Sequence, residues 1–146
     1  MERENTLRII LISNLLLSSS SLSDVPHYHE KKIAILLHDY FRTALDAPKL
    51  LGYSFHNRGP DTVFRIEIEC NKSMVNKSLI FSFKAINMLT EISKRNFTHS
   101  TLVIHFESGA LPVVAEANIR CTKKFLNSDE VFEENWRKNC LTIKNY

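Results

Sequence analysis

Hydrophobic and polar positions along the chain follow two periods. Phe64, Ile66, Ile68 and Cys70 alternate with Arg65, Glu67 and Glu69, the period-two pattern of a strand with one buried face. The same alternation returns at Leu102, Ile104 and Phe106, set against Thr101, Val103, His105 and Glu107. It returns again at Val113, Ala115, Ala117 and Ile119. Ser108-Gly109-Ala110 separates these last two runs and predicts a hairpin turn. Pro112 has no N–H to give to a ladder, so it belongs at the start of the second strand. Further back, Leu79, Phe81 and Phe83 alternate like a strand, and from Lys84 the period lengthens. Ala85, Met88, Leu89 and Ile92 then share one helical stripe, with Lys84, Asn87, Glu91, Lys94 and Arg95 off it. Residues 79–119 therefore read as strand, helix and hairpin.

The N-terminal half carries a second helix. Between His29 and Arg42, the residues Ile33, Leu36, Leu37, Tyr40 and Phe41 fall at i, i+3, i+4, i+7 and i+8, a full core-facing stripe. Lys31, Ile35, His38 and Arg42 lie opposite, with Lys32 beside them. Thr6–Ile12 reads as a strand, residues 13–27 as a Ser-rich connector ending in Asp24-Val25-Pro26, and Lys49–Phe55 as a short strand closed by a turn over His56–Pro60. Asn71–Asn76 reads as a polar loop. Beyond Ile119 the pattern weakens, although Asn127 with Glu130 fits a capping box and Val131, Phe132 and Trp136 fit one face of a short last helix. The alternation predicts an α+β fold, with two helices on one face of an antiparallel sheet. Its expected divisions are a strand and connector over 1–27, the domain over 28–126 and a tail over 127–146.

At 146 residues, 44% of them hydrophobic, the chain holds enough apolar material for one core. A net charge of +3 without blocks of like charge allows a nucleic-acid partner and does not demand one. Cys70, Cys121 and Cys140 are odd in number and include no CxxC pair, which argues against a structural zinc site and against a disulfide framework, and for a reducing compartment. Residues Leu7–Leu17 follow Arg3, include Arg8 and precede the serine run, resembling the apolar part of a secretory signal. They are too few to span a bilayer. Together with glycosylation sequons at Asn71, Asn76 and Asn96, they define an alternative: a secreted, cystatin-like α+β binding protein with its signal over 1–23.

Catalytic signatures are missing from the sequence, which contains no glycine-rich phosphate loop, no GxSxG and no HExxH. His27 and His29 are two residues apart, so they share a face only on an extended strand, and no metal is expected there. Cys70 continues the apolar face of its strand and reads as a small core residue. The expectation is a non-enzymatic protein with no cofactor, no membrane span and no small-molecule substrate.

The segment FSFKAINMLTEI followed by TLVIHFESGALPVVAEANI resembles the final strand–helix–hairpin of sliding DNA clamps, the proliferating cell nuclear antigen fold. Within that fold it is most similar to the Rad-nine subunit of the nine-one-one checkpoint clamp. Leu79–Lys84, Leu102–Glu107 and Gly109–Val114 carry the match, and Ile33–Phe41 is similar to the first helix of the family's second domain. The resemblance implies a second clamp domain with its connector, working in the nucleus in DNA damage signalling and repair. Its partners would be other checkpoint clamp subunits and double-stranded DNA, held loosely and without sequence preference. The DNA-facing residues would be Lys31, Lys32, Arg42, Lys84, Lys94 and Arg95. Leu15, Leu16, Leu17 and Leu22 on the connector would meet partner proteins.

Overall fold

Strand β1 (Lys49–Arg58) and strand β2 (Asp61–Cys70) form where alternation was clearest, joined through Gly59-Pro60. Gly59 adopts φ 58°, a left-handed turn geometry that a residue without Cβ accepts at little cost. In the computed structural model, which describes residues 25–126 and 131–145, the sheet has the order β1-β2-β3-β4-β5. Here β3 is His99–Phe106, β4 is Val113–Asn118 and β5 is Leu141–Asn145. The β1–β2, β3–β4 and β4–β5 pairs are antiparallel, whereas the central pair is parallel, with Ile66 opposite Leu102 and Ile68 opposite Ile104. The sheet is therefore mixed, because a helix connects β2 to β3 and carries the chain back to the end it started from.

That helix corrects one expectation. Leu79–Phe83 is not a strand but lies inside α2 (Val75–Glu91). Leu79, Phe83 and Ile86 fit i, i+4, i+7 as well as their flanks fit period two, and Ser82, Ala85, Asn87, Leu89 and Thr90 are buried as well. A helix covered on most sides shows little amphipathic contrast, and that made its first half look strand-like. The polar loop before it is a short 3₁₀ turn, Lys72–Met74.

Helix α1 (Glu30–Thr43) runs as its periodicity predicts, burying Ile33, Ala34, Leu37 and Phe41. These residues join Phe64, Ile66, Ile68, Leu102, Ile104 and the buried stripe of α2 in one core on one side of the sheet. A backbone bridge ties the two helices: Tyr28 N–H donates to the Ile92 carbonyl at 2.7 Å, and Lys94 N–H donates to the Tyr28 carbonyl at 2.9 Å.

The residues expected to be a tail belong to the same body. Helix α3 (Ile119–Leu126) follows β4 directly, and α4 (Val131–Cys140) leads into β5, the fifth strand of the sheet. Trp136 is fully buried against Phe83, ring centroids 5.2 Å apart, and its Nε1–H donates to Thr122 Oγ1 at 3.1 Å. Cys121 and Cys140 form a disulfide across α3 and α4, with Cα atoms 5.6 Å apart. This overturns the expectation drawn from the odd cysteine count, since the third cysteine, Cys70, is free and buried as anticipated. The strand expected at Thr6–Ile12, residues 13–24 of the connector and the cap at Asn127 and Glu130 lie outside the described residues.

Candidate functional site

Among the described residues the fold leaves two polar surfaces, one on the helical layer and one on the sheet face that no described helix covers, here called the bare face. On the helical layer, five of the six residues expected to face DNA are exposed, and Arg95 is half-buried. Arg42 pairs with Asp39 one turn back, 2.9 Å apart. Arg95 pairs with Glu30 at the start of α1 and also donates to Asn57 Oδ1 at 2.9 Å, with its guanidinium over the Phe97 ring. Lys94 Nζ lies 3.1 Å from His29 Nε2. Arg95 and Lys94 thus fasten the start of α1 to the segment after α2, whereas the Arg42 pair stays within α1. Lys31, Lys32 and Lys84 are exposed and form no ion pair among the described residues. Lys77, which the sequence reading passed over, is exposed on α2 two turns before Lys84. Leu15, Leu16, Leu17 and Leu22 lie outside the described residues.

The bare face of the sheet forms a trough of about 560 Å³. Strand alternation sends Arg65 and Glu67 from β2, Thr101, Val103 and His105 from β3, and Val114 and Glu116 from β4 into it. Two ionic clusters result. Glu67 Oε1 accepts from Arg65 Nη2 at 2.7 Å, while its Oε2 lies 3.1 Å from His105 Nε2. Glu116 Oε1 accepts from Arg58 Nη1 at 2.8 Å and its Oε2 from Lys144 Nζ at 3.1 Å. Arg58 stands on β1 and Glu116 on β4, so this side chain reaches across two intervening strands. Val63, Thr101 and Val103 on those strands are buried.

Burial by itself would raise the pKa of both carboxyls. For Glu67 the hydrogen bonds and charges of His105 and Arg65 outweigh it, and for Glu116 those of Arg58 and Lys144 do, so both titrate below the usual 4.5. A carboxylate whose folded pKa is depressed adds stability that is complete above its unfolded pKa and drains as pH falls through the folded value. The denaturant midpoint should thus hold steady down to about pH 5 and then fall in acid. The double variant Glu67→Gln with Glu116→Gln should flatten that acid limb, and an unchanged limb would show that these pairs carry no linkage.

His105 falls on the polar side of its strand's alternation, and it occupies that face beside Glu67. Its pairing with Glu67 was not legible, because it depends on the parallel β2–β3 register that sets Glu69 opposite His105. His27 and His29 belong to no metal-ligating group among the described residues. No described helix is long and apolar enough to cross a membrane. No family model, curated protein or solved structure matches the chain.

Proposed function

We propose that this chain is a non-catalytic, clamp-like subunit that assembles with other checkpoint clamp subunits around duplex DNA, in the nucleus, during damage signalling and repair. The observation that carries this reading is the helical layer: α1 and α2 share one face of the sheet, with Lys31, Lys32 and Lys84 turned outward and unpaired among the described residues. Compact ammonium groups on exposed helices suit loose phosphate contact, which holds a duplex without reading its sequence. The element order is β2–α2–β3–β4, but Leu79–Lys84, the segment matched to the family's strand, is helical, so the reading rests on the helical layer alone.

The test is recovery of the tagged chain and of its Lys31→Glu, Lys32→Glu, Lys84→Glu variant from cells. The wild type should bring down clamp subunits together with nuclease-sensitive DNA. The variant should keep the subunits and lose the DNA. With purified complex, three phosphate contacts correspond to a log–log salt slope of about −2.7, which the variant should abolish. Recovery of the wild type as a monomer with no repair partner would overturn the reading.

A second reading, a secreted binding protein, is favoured by the Cys121–Cys140 disulfide, since such bonds persist in oxidising compartments. The sequon residues Asn71, Asn76 and Asn96 are also all exposed. The redox state of the native protein separates the two readings and is taken up in the Discussion.

A further inference from the structure

The trough on the bare face of the sheet has no part in the DNA-binding reading, and its donors and acceptors are unbalanced. Each oxygen of Glu67 and of Glu116 already faces a donor or an imidazole nitrogen. Arg58 and Arg65 each commit one guanidinium nitrogen to these contacts, and Lys144 one of its three N–H groups. Unused donors therefore line the trough. Arg58, Arg65 and Lys144 against Glu67 and Glu116 leave one positive charge in excess before the imidazoles of His56 and His105 are considered. The floor between the clusters is apolar, made by Val103 and Val114, which are opposite one another on β3 and β4, with Pro112 alongside.

We propose that this trough binds a small amphiphilic carboxylate, its monoanionic head on the spare N–H groups of Arg58 and Lys144, which share Glu116, and its apolar body over Val114 and Val103. A single excess charge matches a carboxylate, whereas a phosphate dianion would need further positive charge from the imidazoles. Guanidinium groups present paired N–H bonds that suit a carboxylate head. The volume of about 560 Å³ falls within the range of small-ligand pockets. The proposal is independent of the reading of the helical layer, so either can fail alone.

Titration calorimetry of the whole chain at pH 8 with sodium octanoate tests it, against acetate, octanol and octyl phosphate. Saturable one-to-one binding of octanoate is expected, at least about tenfold tighter than acetate, which lacks the body, and than octanol, which lacks the charge. Arg58→Gln and Lys144→Gln should each weaken octanoate by about tenfold, the size of a lost charge-assisted hydrogen bond. If Arg58→Gln does not fold, Lys144→Gln on the exposed edge strand decides. No saturable octanoate binding, octanol binding as tightly as octanoate, or Lys144→Gln binding like the wild type would each overturn the site. Tighter binding of octyl phosphate would overturn the carboxylate assignment.

Discussion

Trp136→Ala should destabilise the protein by about 3–5 kcal/mol, the largest loss expected from any single substitution considered in this chain. The side chain is wholly buried and fills the junction where α4 meets α2, with its ring edge-on to Phe83. Truncation removes that volume from a close-packed interior and strands the Thr122 hydroxyl, which now accepts the indole N–H. Trp136→Phe should recover most of the packing and leave only the polar deficit, so its loss should be clearly smaller. Urea unfolding followed by far-ultraviolet dichroism measures both, since Trp136 is the only tryptophan and fluorescence would vanish with it. A Trp136→Ala protein within about 0.5 kcal/mol of wild type would mean that α4 is not part of the cooperative core.

The second large effect is expected from the cross-link. Cys121 and Cys140 are 19 positions apart, and closing a loop of that length removes denatured-state entropy worth about 3 kcal/mol. Reduction, or the double variant Cys121→Ser with Cys140→Ser, should lower stability by about that amount. Buried Cys70 should stay unreactive toward thiol reagents in both folded forms. Equal urea midpoints for oxidised and reduced protein would remove the bond from the account of stability. The same bond discriminates between the two proposed functions. Alkylation of protein taken directly from cells should trap free thiols at Cys121 and Cys140 if the chain works in the nucleus, and should leave both blocked if it is secreted.

Much of this architecture is legible in the sequence because burial is one-sided. Helix α1 and strand β2 each set an apolar face against a polar one, and their limits follow. Helix α2 is different. It is enclosed on several sides, so Ser78, Ser82 and Thr90 lie in its buried surface and the contrast that marks an amphipathic helix is weak. Helix α3 and strand β5 are short and polar, and β5 exists because it pairs with β4, a tertiary event that no local pattern records. The trough was half legible. Arg65, Glu67 and Glu69 mark a polar strand face, but their meeting with His105 and the reach of Arg58 to Glu116 follow from register and sheet shape.

The parallel pairing at the centre sets the order in which the molecule must assemble. It joins Val63–Cys70 to residues thirty-six positions later, as Val63 to His99 and Phe64 to Ser100, whereas β1–β2 and β3–β4 are local hairpins. Distant contacts carry loop-closure entropy that must be met before they return anything, so the hairpins can form early and their union is the slow step. Helix α2 spans that gap and contributes Leu79, Phe83, Ile86 and Leu89 to the interior. The folding rate is accordingly expected to respond most to substitutions in this connection and in the β4–β5 pairing, which joins residues 24 to 32 positions apart.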